Sequence, residues 1–325
     1  MKKYLLLLLC IPLLLTGCKK VPKLENGQEI VAQIDGKQFT ANELFDALKK
    51  DYGTSVLVGM VDELITSKEI TDEMKEEAKK SAKNEFDTYK TYYSSNWSAF
   101  LANYGYKTDD ELMNALIKSY QQKLILTKYL KNDVIKDEEI NKYYKDNIFG
   151  EITARHILIK PDVKDDMTAD QKKEAKTKAL NEAKELIEQL KKSTNLEADF
   201  TKLAKEKSDD TGSASQGGLI ENFTNDSGLV KEFWEASLKL ETGKFTPEAV
   251  ETEYGYHIIY KVSQKEKPTL DKVKDKVIDK VANELLAAEN ANFVYWSGLR
   301  EKYNIVIHDD VIKNAYQATL NNLKK

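Results

Sequence analysis

Apolar residues are spread unevenly along these 325 residues. A solid apolar block over 5–15 follows Lys2 and Lys3. It is too short to span a bilayer, and with its basic lead and the small-residue stretch Leu15-Thr16-Gly17-Cys18 it reads as an export signal. Residues 19–28 are polar, with Pro22 and Gly27, and suit a leash. Residues 29–34 then predict a strand, Asp35-Gly36 a hairpin turn, and Thr40-Ala41-Asn42-Glu43 a capping box opening a helix. Segments rich in Lys, Glu and Ala with apolar residues at helical spacing predict long helices over 71–93 and 108–130, the second opened by Thr108-Asp109-Asp110-Glu111. Tyr89, Tyr92, Tyr93, Trp97, Phe100, Tyr104 and Tyr106 cluster around the turn between them, either as helical core or as a surface that holds unfolded segments.

After a helix over 137–146, Gly150 marks a change of pattern. Residues 152–160 predict a buried strand stopped by Pro161. Thr168-Ala169-Asp170-Gln171 caps a helix whose stripe of Ala175, Ala179, Ala183, Leu186, Ile187 and Leu190 would let it lie close to a sheet. A short helix over 199–205, a Gly/Ser-rich loop over 212–218, a helix over 230–240 and a β-branched, aromatic strand over 255–263 complete this module. Beyond Pro268 the pattern is helical to about residue 303, with an apolar strand at 305–307 and a last helix after Asp309. These elements are too sparse for a core of their own, so they are expected to return to the N-terminal segment. The expected organisation is a signal peptide (1–17), a leash (18–28), an N-terminal helical segment (29–147), an α+β domain with a small, mainly antiparallel sheet and surrounding helices (148–266), and a C-terminal helical segment (267–325) packing on the N-terminal one. No internal repeat is evident.

The formal net charge is −4, and removal of the signal takes away two lysines, leaving −6. Nucleic acid is therefore not an expected partner. Arg155 and Arg300 are the only arginines, which leaves few bidentate anion clamps. Cys10 lies in the apolar block and Cys18 directly after Thr16-Gly17, so no pair remains for a disulfide. Leu15-Thr16-Gly17-Cys18 resembles the bacterial lipobox. That resemblance implies cleavage before Cys18, a diacylglyceryl group on its thiol, and anchoring at the outer face of the cytoplasmic membrane, at roughly 0.8 kcal/mol per buried methylene.

Of three histidines, His156 falls in the first strand of the α+β domain and His257 in its last. Strand alternation puts Ile152, Ala154, His156 and Leu158 on one face, and Gly255, His257 and Ile259 on one face. In suitable register the two imidazoles touch, and Ser208-Asp209-Asp210 can offer them a carboxylate. His308 lies in the returning segment and reads as structural. No metal-ligand spacing is present, and no cofactor is expected.

Six ordered motifs then point to a family: Arg155-His156-Ile157-Leu158, Asp199-Phe200-Thr201-Lys202-Leu203-Ala204, Ser208-Asp209-Asp210, Gln216-Gly217-Gly218-Leu219, Glu232-Phe233-Trp234-Glu235-Ala236 and Gly255-Tyr256-His257-Ile258-Ile259. Residues 151–263 thereby resemble the parvulin domain of peptidyl-prolyl cis/trans isomerases. With the lipobox and flanking helical segments, the chain resembles the PrsA-type foldase lipoproteins of Gram-positive bacteria. The resemblance implies that His156, His257 and Asp210 form the catalytic site and that Leu219, Leu229 and Phe233 form the apolar wall receiving the proline ring. Tyr254 then stands where serine or threonine is common, and Ile220 replaces the glycine usual after the loop's leucine. It further implies isomerisation and chaperoning of exported polypeptides, with a homodimer through the helical module as one expected assembly. Carboxylates in Pro161-Asp162-Val163-Lys164-Asp165-Asp166 predict no dependence on phosphate before proline. The competing readings are a holdase with an inactive parvulin fold and, from the lipobox alone, a solute-binding lipoprotein, which would call for two lobes of alternating strands and helices.

Overall fold

The computed structural model describes residues 21–323. The signal segment 1–17 and Cys18 lie outside the described residues. The chain divides into two compact units, one taking in the chain up to Val134 and again from Asn283, the other Ile135–Ala282.

The first unit opens with β1 (Ile30–Ile34) and β2 (Lys37–Thr40), an antiparallel hairpin. Its turn residues Asp35 and Gly36 both have positive φ, 48° and 79°, which matches a two-residue turn to the strand twist. Thr40 caps α1 (Ala41–Glu69): its hydroxyl accepts the Glu43 N–H while the Glu43 carboxylate accepts the Thr40 N–H. Then come α2 (Asp72–Tyr93), α3 (Trp97–Asn103) and α4 (Asp109–Tyr129). At α4 the Thr108 hydroxyl accepts the Glu111 N–H, but the Glu111 carboxylate reaches the Lys107 N–H, so only half of the expected box forms. The aromatic cluster is largely core. Phe100 is buried between Tyr93 and Trp97, with ring centroids 4.2 and 5.2 Å away, while Tyr92 and Tyr104 stay exposed.

The second unit holds α5 (Asp137–Asn147), β3 (Ile152–Ile159), α6 (Ala169–Leu190), α7 (Leu196–Lys207), β4 (Leu219–Phe223), α8 (Lys231–Lys239), β5 (Val250–Thr252), β6 (Gly255–Gln264) and the greater part of α9 (Leu270–Ala287). The sheet is antiparallel, in the order β4-β3-β6-β5. The unit extends beyond the expected edges at 148 and 266, because the Tyr144 hydroxyl of α5 donates to the Pro268 carbonyl at 2.9 Å and the Lys267 ammonium to the Tyr144 carbonyl at 2.8 Å. One sheet face, carrying Ile157, Ile159, Tyr256, Ile258 and Tyr260, packs on α6 and on Phe200 of α7. Ala179 and Ala183 are the small buried positions on α6 at this contact. The other face, carrying Ile152, Ala154 and Ile259, packs on Phe233 and Trp234 of α8.

The chain then returns to the first unit through α10 (Ala291–Lys302) and α11 (Asp310–Leu323). The expected helix to residue 303 is broken between α9 and α10, where Asn290 takes a left-handed φ of 60°. The expected strand at 305–307 does not form. Asn304 ends α10 with φ 54°, the Ile305 N–H bonds the Arg300 carbonyl and the Asn304 N–H bonds the Glu301 carbonyl, a helix-ending turn that uses up the start of the apolar run. Trp296 and Leu299 of α10 pack with Ile65 of α1 and Ile125 and Leu126 of α4. Arg300, 2% exposed, makes a bidentate pair with Asp62 at 2.7 and 2.8 Å. On α1, Leu44, Leu48, Tyr52, Val56, Met60 and Leu64 are all exposed at a spacing of four, an apolar ridge along the helix. Among the described residues no helix is long and apolar enough to cross a membrane.

Candidate active site

His156 and His257 are brought together by the register of β3 and β6. His156 stands opposite Ile259, and Leu158 opposite His257, so the two histidines are diagonal neighbours on one sheet face. Their Nδ1 atoms are 3.2 Å apart and their rings lie nearly parallel, at 17°, with centroids 5.4 Å apart. Both are buried, 4% and 5% exposed.

Asp210 arrives through local chain geometry. Beyond the stretch paired with β4, the edge of β3 is taken up by the segment after α7: the Ser208 hydroxyl accepts the Leu158 N–H, the Asp209 N–H donates to the Leu158 carbonyl, and the Asp209 carboxylate accepts the Lys160 N–H. Asp210 is thereby set beside His156, with Oδ2 2.8 Å from Nε2. The loop then closes on Gly218, whose carbonyl accepts the His156 N–H at 2.8 Å. Gly218 has φ +71°, and a Cβ there would lie 2.0 Å from the His156 carbonyl oxygen, so glycine is required. Arg155, on the opposite face, fixes the loop by donating to the Gln216 and Gly217 carbonyls at 3.0 and 3.1 Å.

Burial pushes the His156 imidazole down, partly offset by Asp210. His257 is pushed down to about 4, by burial first and then by His156. Burial works to raise the Asp210 carboxyl, but hydrogen bonds from Ser213 and His156 outweigh it and hold it below the usual carboxylate range. At neutral pH the pair is therefore neutral beside an ionised carboxylate, and this fixes the proton positions. Asp210 can only accept, so His156 donates from Nε2. Its bare Nδ1 accepts from His257 Nδ1–H, which leaves His257 Nε2 to accept from the Thr252 hydroxyl at 2.9 Å.

Phe233 stands edge-on to both imidazoles, with centroids 5.3 and 5.4 Å away. Leu229 packs into the same cluster, as does Ile220. Leu219 does not. It pairs with Arg155 and Ile220 pairs with Ala154, so Ile220 faces the histidines and Leu219 faces away. Of the expected wall residues Leu219 is therefore set apart, and Ile220 stands on the same side as Phe233 and Leu229. Tyr254 lies in the β5–β6 turn, 55% exposed, and the hydroxyl at the pair belongs to Thr252. The sequence pattern does not single out Thr252 or Ser213, and it marks Ile220 only as a departure from the family's glycine. Thr252 had a signal in the short hairpin it forms with Gly255, which puts it on the His257 face.

A four-stranded antiparallel sheet with helices on both faces and a buried histidine pair on its central strands is the architecture of a parvulin-type prolyl isomerase. Residues 138–266 match the family model of the PPIC-type PPIase domain. Foldase protein PrsA 3 of Bacillus anthracis is 31% identical, over 95% of this chain and 94% of its own, and foldase protein PrsA of Geobacillus kaustophilus is 31% identical over 85% and 84%. The crystal structure of foldase protein PrsA from Streptococcus pneumoniae shares the fold at a TM-score of 0.61 and 17% identity, covering 88% of this chain and 98% of that one. The chain belongs to the PrsA foldase family, and is a foldase with a parvulin-type peptidyl-prolyl isomerase domain.

Proposed function

We propose that His156, His257 and Asp210 are the catalytic centre, that Phe233, Leu229 and Ile220 receive the proline ring, and that the substrates are partly folded exported polypeptides. An X-Pro bond crosses a barrier of about 18–20 kcal/mol because amide resonance is lost, and it exchanges unaided in roughly tens to hundreds of seconds. Four decades of acceleration need only about 5.5 kcal/mol of selective stabilisation of the twisted amide. No bond is broken. An apolar wall that excludes water from the peptide carbonyl disfavours the resonance form with charge on oxygen, and so favours the twisted form. The neutral imidazole pair supplies a polar floor already oriented by Asp210 and Thr252, with no reorganisation during rotation. The observation that carries this reading is the 3.2 Å contact between His156 and His257 directly beneath Phe233.

The exposed ridge on α1 supports a second activity in the same chain: an apolar surface that holds unfolded segments, or joins two copies of the helical unit. The lipobox supports an extracytoplasmic location with Cys18 as the lipid-bearing residue. Refolding of a secreted protein limited by a slow prolyl phase tests the isomerase reading. The mature chain is expected to accelerate that phase, and His156→Ala or His257→Ala to lower the acceleration at least tenfold, as for general loss of a positioned catalytic group. Undiminished acceleration by both folded variants would contradict it.

A further inference from the structure

We infer that Ser213 is a positioning residue of the imidazole pair, holding Asp210 and His156 in the one arrangement that fixes the proton order through His257 to Thr252. The inference rests on the reading of that pair as the isomerase centre. Ser213 Oγ lies 2.5 Å from Asp210 Oδ2 and 3.0 Å from His156 Nε2, and the residue is buried. Asp210 is the more exposed partner, its side chain 31% accessible, so water competes for its oxygens. The Ser213 hydroxyl takes the place of such a water. It donates to Oδ2, and its lone pairs share the His156 Nε2–H with that carboxylate. Gly212 N–H completes the hold on Oδ1 at 3.2 Å.

The backbone of Ser213 serves the same end. Its carbonyl accepts the Gly218 N–H at 2.9 Å, and the Gly218 carbonyl accepts the His156 N–H at 2.8 Å. One residue thus ties the carboxylate, the imidazole and the glycine turn together. The charged and titratable groups facing this assembly are few. Asp210 and His257 face His156, Lys160 at the end of β3 acts on His257, and α8 presents the uncharged ring of Phe233. Removing the Ser213 hydroxyl takes one of the hydrogen bonds that favour the Asp210 carboxylate. The carboxyl then protonates at higher pH, and Asp210 Oδ2, the acceptor of His156 Nε2–H, is no longer held and is free to turn to water.

The test uses the mature chain with ¹⁵N-labelled histidine, reading ring tautomers by proton–nitrogen correlation and prolyl isomerisation against pH. Ser213→Ala is expected to turn His156 from the Nε2–H form into a mixture and to move the acid limb of kcat/KM to higher pH. It should lower kcat about tenfold, the worth of one charge-assisted hydrogen bond, with little change in KM. Ser213→Thr should restore all three. Ser213→Cys, close in size but a weak donor, should behave as alanine does and stands in if the alanine variant does not fold. Tautomers and acid limb unchanged from the parent in folded Ser213→Ala or Ser213→Cys would overturn the inference. The tautomer readout needs no turnover, so a parent chain without isomerase activity would defeat the functional reading while the tautomers still decide the role of Ser213.

Discussion

Burial of His257 has a cost that appears only on acidification. Both imidazoles are held below their ordinary value of 6.5, His257 at about 4. The unfolded chain therefore binds more protons between about 4 and 6.5, and stability falls as pH drops through that window. The effect from His257 is on the order of 3 kcal/mol. Asp210 adds the same sign lower down, since its stabilising carboxylate is lost as pH falls past its ordinary value of 3.8. Urea unfolding at pH 7 and pH 4.5 checks this. The parent should lose stability on acidification, and His257→Gln should lose less. An equal loss in both would mean that the pair is not held neutral. At this scale the sequence disclosed the ionisable residues, because histidine and the Ser208-Asp209-Asp210 turn are rare signals. It hid the hydroxyls, since Ser213 and Thr252 are two among many serines and threonines. Leu219 and Ile220 show the other limit: in a strand a slip of one residue exchanges the faces, and two adjacent aliphatic residues give no alternation to choose by.

Strong caps make an element legible in the sequence, and short strands without alternation do not. Thr40, Thr108 and Thr168 start α1, α4 and α6. β4 and β5 are five and three residues long and carry little apolar alternation, so they went unread. The helix over 269–303 is locally continuous in pattern, and only the left-handed Asn290 divides it. Apolar residues at 305–307 looked like a strand because a helix-ending turn and a strand share the same short apolar signature. Lys261 shows how an element is held from outside. It is buried on β6, and its ammonium donates to the Leu238 and Leu240 carbonyls at the end of α8, at 3.3 and 2.7 Å. A cation there also suits the helix dipole. Lys261→Met should destabilise the isomerase unit by about 1–3 kcal/mol, because it leaves those carbonyls without their donor. A urea midpoint equal to or above the parent's would show instead that the buried ammonium is no net support.

At the scale of the whole molecule, two units are made from one chain, and the unit with the histidine pair is the continuous one. The other is assembled from both ends, through Trp296 and Leu299 against Ile65 and Leu126, and through the buried Arg300–Asp62 pair. The apolar content after residue 268 is too sparse for a core of its own, whereas no local pattern could disclose that Arg300 and Asp62 would meet. In the proposed mechanism a neutral imidazole pair under an apolar wall lets a prolyl amide twist. Exchange spectroscopy on a proline tetrapeptide, with the mature chain at catalytic concentration, measures that directly. Cis–trans exchange is expected to be at least about a hundredfold faster than the unaided rate, and to fall to near the unaided rate in the folded His156→Ala/His257→Ala double variant. Exchange as fast in that variant as in the parent would contradict the mechanism.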